Sequence, residues 1–129
     1  MNTTRRIRSL FLAATVAATS LAVGALPAAA ADREREGDCS ARSDWDLELD
    51  RDDGEIEVDL EIDGRRAGER WRVVIKQNGS VFFDATRRAD DDGDVDIERD
   101  RPDTSGTDRF WFRATSVRTG EVCQGSLRI

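Results

Sequence analysis

The chain has 129 residues, 27 of them acidic and 20 basic, for a net charge of −7, with two cysteines and no histidine or tyrosine. Such a surplus of negative charge argues against nucleic acid and anionic membranes as partners. The lack of histidine excludes a Ser–His–Asp or Cys–His catalytic arrangement. Paired carboxylates of the glycosidase kind would need a cleft that raises one pKa, so a non-enzymatic protein is expected.

Residues 1–31 read as a secretory signal peptide. Arg5, Arg6 and Arg8 precede an apolar run from Leu10 to Leu26, and Pro27 to Ala31 offers an Ala-x-Ala cleavage site near Ala31. The run is too short and too rich in small residues for an anchor, so no membrane contact is expected after processing. Removing the leader deletes three arginines and no acid, which takes the balance to 17 basic against 27 acidic residues over the remaining 98. That length makes one small domain. Residues 32–38 read as a flexible acidic segment, and 39–129 as the folded domain. Cys39 and Cys123 lie near its two ends. In an oxidising compartment an even count favours a disulfide, and closing so long a loop contributes roughly 4–5 kcal/mol in the chain-entropy account.

From Cys39 onward the chain reads in period two. Strands are expected over 43–50, 55–63, 69–77, 80–86, 94–100, 108–116 and 121–128, separated by turn pairs such as Asp53-Gly54, Asn78-Gly79 and Thr119-Gly120. Seven antiparallel strands of this kind suggest an all-β immunoglobulin-like β-sandwich. Parity points Trp45, Leu47, Leu49, Ile56, Val58, Leu60, Ile62, Trp71, Val73, Ile75, Val95, Ile97, Phe110, Phe112, Ala114, Leu127 and Ile129 inward, and both cysteines fall on inward positions. In such a sandwich the strands over 43–50, 55–63 and 94–100 share one sheet, whose outer face would be almost wholly acidic. A two-residue turn at Asp52-Asp53 would set Leu47 opposite Val58, Glu48 opposite Glu57 and Asp46 opposite Asp59.

The stretches RSDWDLELDRDDGEIEVDLEIDGRRAGERWRVVIKQNG and RATSVRTGEVCQG resemble a group of small secreted actinobacterial proteins with an immunoglobulin or fibronectin III sandwich pattern. The matching positions are Cys39, Trp45, Trp71, the Asn78-Gly79 turn, Thr119-Gly120-Glu121 and Cys123. The resemblance implies an exported single-domain protein and no known activity. Basic residues are common in that group where this chain has Asp46 and Glu48, so the acidic first hairpin is a departure.

Two sets of residues are candidates for binding. On the second sheet, Trp111 lies between Arg109 and Arg113, with Arg72 and Val74 expected beside it. Taking Asn78-Gly79 as a plain two-residue turn puts Val74 opposite Phe83 and turns Phe83 outward. An outward set of Trp111, Val74 and Phe83 ringed by arginines suits recognition of an extracellular protein or a cell-wall polymer, whose identity the sequence does not encode. The second set is Asp90, Asp91, Asp92 and Asp94 around Gly93. As an EF-hand loop it fails, with Arg88 at the first ligand position and Arg99 at the twelfth. Weak Ca2+ ligation is the remaining reading for these aspartates, and no other cofactor is expected. A third reading is an acidic structural domain without a ligand, its carboxylates serving solubility. Oligomeric state is left open.

Overall fold

The computed structural model describes Gly24 and residues 32–129; apart from Gly24, the expected signal peptide lies outside the described residues. The described chain forms eight strands: β1 (Arg33–Asp38), β2 (Asp44–Asp52), β3 (Glu55–Asp63), β4 (Arg70–Gln77), β5 (Ser80–Arg88), β6 (Asp94–Pro102), β7 (Arg109–Ser116) and β8 (Val122–Arg128). They make two antiparallel sheets in the orders β1-β2-β3-β6 and β5-β4-β7-β8. The inward side chains of both sheets form one core, including Leu47, Leu49, Ile56, Leu60, Trp71, Ile75, Phe110 and Phe112, all fully buried. Leu127 and Ile129 pack on its margin. Each large side chain so buried contributes on the order of 1.5–3 kcal/mol.

Three sequence expectations change. The seven expected strands are eight, because residues 33–38 are not a flexible segment but the edge strand β1, paired with β2 along its whole length. This strand has no apolar residue, so no hydrophobic alternation marks it. Main-chain pairing holds it, along with Arg35, whose guanidinium donates to the Ser126 carbonyl of β8 at 2.9 Å. The β2–β3 turn is Asp53-Gly54, with both φ angles positive (46° and 84°), the geometry that matches strand twist in a two-residue hairpin. Leu47 therefore faces Leu60, Leu49 faces Val58, Glu48 faces Asp59 and Asp46 faces Glu61. The register moves by two residues and leaves every side chain on its expected face.

The third change concerns Phe83. Asn78-Gly79 does form the expected turn, setting Gln77 opposite Ser80 and Lys76 opposite Val81, but a bulge then shifts the register so that Ile75 faces Phe83. The extra residue returns Phe83 to the core, 6% exposed, and puts Asp84 outside opposite Val74. Inward burial of a phenyl ring and outward placement of a carboxylate both favour the bulged pairing.

Cys39 and Cys123 form the expected disulfide, 84 residues apart, tying the segment after β1 to β8. Beside it the Trp45 indole packs edge-on against Phe112 at 5.0 Å. It reaches this depth because Gly37 and Gly125 lie against it, and a Cβ at Gly37 would meet the ring at 2.5 Å.

Candidate functional site

The outer faces of the two sheets follow from strand parity and differ in charge. On the β1-β2-β3-β6 face the register aligns carboxylates across all four strands. One rung is Asp38, Asp44, Asp63 and Asp94; the next is Glu36, Asp46, Glu61 and Asp96; the third is Glu34, Glu48, Asp59 and Glu98. Strand β1, absent from the sequence expectation, extends this field. Burial within the crowded face and then neighbouring carboxylates raise the pKa of Asp59, Glu61 and Asp94. Asp46 is raised by burial and then by the Glu34 carboxylate close to it. Glu57 is raised chiefly by the charge of Glu98. A cation enters at the rim, where Arg65 bonds Asp44 at 2.6 Å.

The aspartates near Gly93 do not act as one group. Oδ1 of Asp90 accepts the backbone N–H groups of Asp92, Gly93 and Asp94, each at 2.9 Å. The Asp94 amide, with those of Asp92 and Gly93, outweighs partial burial and holds the Asp90 carboxyl below its ordinary value. Asp90 thus closes the β5–β6 turn. Asp91 and Asp92 project to solvent, and Asp94 belongs to the first acidic rung. Among the described residues, one group of three acids brings its ligand atoms within 4.8 Å of one another: Glu34, Glu36 and Asp46, on the acidic face.

On the β5-β4-β7-β8 face the charged outward residues are basic apart from Asp84. Arg70 lies opposite Arg88 and Arg109 opposite Arg128, while Arg113 sits between Val74 and Gln124. Lys76 lies opposite Trp111, and its Nζ stands 4.9 Å from the indole centroid. Arg72 is bound to Asp84 at 3.3 Å. Among the described residues the remaining cations of this face make no ion pair. Trp111 and Val74 are half-buried. A shallow depression beside Trp111 is lined by Arg72, Val74, Lys76, Arg113 and Thr115, and a second, on the side of Gly79, by Lys76 and Arg109.

The structure therefore brings together Trp111, Arg109, Arg113, Arg72 and Val74, and removes Phe83 from the set. Phe83 faces instead the edge between β5 and β6, where the guanidinium carbons of Arg87 and Arg99 each stand 5.0 Å from its ring, and Arg101 stands 4.6 Å from Phe82. Lys76 is the cation over Trp111, a pairing missed in the sequence. Its parity put it on the right face, but the register between β4 and β7, strands far apart in the chain, is not written in either strand. Comparison with known proteins finds no matching family model, no matching curated protein and no matching solved structure.

Proposed function

We propose that the chain is an exported, non-enzymatic, immunoglobulin-like module that binds an acidic extracellular protein or an anionic cell-wall polymer through the outer face of β5-β4-β7-β8. The observation that carries this reading is the half-buried Trp111 with Lys76 over it, flanked by Arg109 and Arg113, which make no ion pair among the described residues. In a chain with 27 acids, cations left unpaired around an aromatic anchor suit an interface that meets opposite charge. The disulfide accords with an extracellular setting, and the division of strands between the two sheets supports the immunoglobulin-like reading. Capture of partners from culture supernatant and cell-wall fractions tests the proposal. Trp111→Ala should lose most of what the wild type captures, and undiminished capture would assign binding to another surface.

A second reading is a cation-responsive domain, in which Ca2+ relieves repulsion across the acidic face. The raised pKa values of Asp59 and Glu61 favour it. It requires Ca2+ at several millimolar to raise the melting temperature more than NaCl of equal ionic strength. Equal effects would leave screening alone, as in a ligand-free acidic domain.

A further inference from the structure

At the end of the sandwich nearest the disulfide, three loops border an open cavity of about 730 Å3. Its walls carry Arg42 from the β1–β2 loop, Arg65 and Arg66 from the β3–β4 loop and Arg118 from the β7–β8 loop, together with Glu69 and Glu121. The loops are held to one another and to the sheets. The Ser40 amide donates to the Val122 carbonyl at 2.8 Å, the Val122 amide donates back to Ser40 Oγ at 2.9 Å, and the Gly64 amide donates to the Gly93 carbonyl at 3.0 Å.

Both carboxylates of the cavity are engaged by the chain itself. Oε1 of Glu121 accepts the amides of Ser43 at 2.8 Å and Ala41 at 3.2 Å, and its Oε2 accepts Ser43 Oγ at 3.1 Å. Glu69, 8% exposed, accepts Ser116 Oγ at 2.6 Å. Arg65 is bound to Asp44. Arg42, Arg66 and Arg118 make no ion pair among the described residues, and residues 1–31 contain no acid that would supply one. Three guanidiniums from three loops thus line one cavity without an ion pair among the described residues, and the four arginines of its walls outnumber the two glutamates.

The geometry points to an anion site, separate from the basic sheet face, that takes a phosphoryl ligand with more than one anionic centre. Guanidinium forks match phosphate oxygens in paired hydrogen bonds. The volume falls within the range of small-molecule sites, about 300–1,000 Å3, and exceeds what a single phosphate fills. Three cations on separate loops fit a chain of phosphoryl groups, whether free in solution or at the end of a larger molecule.

The test is calorimetric titration of the protein at low ionic strength with inorganic tripolyphosphate, inorganic phosphate and citrate. Tripolyphosphate should bind at least about tenfold more tightly than phosphate or citrate. The triple variant Arg42→Gln/Arg66→Gln/Arg118→Gln should weaken it at least tenfold, while Arg109→Gln/Arg113→Gln on the sheet face should leave it within twofold. All five arginines are exposed, and an unchanged melting temperature without anion would verify that each variant folds. No tripolyphosphate binding by the wild type, binding retained by the triple variant, or citrate bound equally well would overturn the assignment. Loss of binding only in the sheet-face variant would also overturn it, by moving the anion to that face.

Discussion

Asp108 holds one end of the sandwich closed. It is fully buried, and its carboxylate accepts Asn78 Nδ2 and Thr104 Oγ1 at 2.7 Å, the Thr104 amide at 2.9 Å and Gln77 Nε2 at 3.0 Å. Burial alone would raise its pKa, but bonds from Thr104, Gln77 and Asn78 outweigh burial and lower it. Asp108→Ala should cost at least about 2 kcal/mol in urea unfolding, because several donors lose their acceptor together. A depressed carboxyl stabilises the fold above its unfolded value and loses that contribution as pH falls through the folded one. The variant should therefore lose less stability than the wild type in strong acid. Asp108 was readable only as the first residue of a strand, since its partners come from turns that the sequence does not place beside it. Trp111 was more legible. Alternation put it outward between Arg109 and Arg113, and the structure adds Lys76 above it.

At the scale of elements, period two carried the faces and left register open. Trp45, Leu47 and Leu49 point inward as read, whichever turn closes the first hairpin, because the two registers differ by an even step. The bulge beside Lys76 is an odd step, so it reversed Phe83 and Asp84. Nothing in Val81-Phe82-Phe83 marks where the extra residue falls; the gain from burying a ring decides it. Strand β1 escaped notice for the opposite reason: it buries no apolar side chain and relies on backbone pairing to β2. Phe83→Ala should cost about 3–5 kcal/mol as a core truncation. Phe82→Ala should cost clearly less, since Phe82 is only partly buried, beneath Arg101. Denaturant midpoints of the two variants measure the difference, and equal costs would contradict the bulged register.

For the whole molecule the central fact is the separation of charge between two faces. The acidic face was legible from alternation in three strands, and the fourth, β1, completes each of the three rungs described. Its raised carboxyls fix the sign of the pH response. Protonation of Asp59, Glu61 and Asp94 relieves repulsion in the folded state, so their contribution is present below the ordinary values of 3.8 for Asp and 4.5 for Glu and lost as pH rises through the raised ones. Stability should therefore increase as pH falls from neutrality toward the ordinary carboxylate values. It should fall again below the ordinary carboxylate range, where Asp90 and Asp108 take up protons. Each kcal/mol relieved should appear as about 4–8 °C in melting temperature, and about 1 M NaCl should shrink the increase.

The functional account places recognition on the basic face and only repulsion on the acidic one. Its most direct test is the capture of culture-supernatant and cell-wall components by the wild type, by Trp111→Ala/Arg113→Ala and by Glu57→Gln/Glu98→Gln. The account expects capture to be lost in the first variant, retained in the second, and weakened by salt in the wild type. Capture that survives Trp111→Ala/Arg113→Ala and disappears in Glu57→Gln/Glu98→Gln would contradict it.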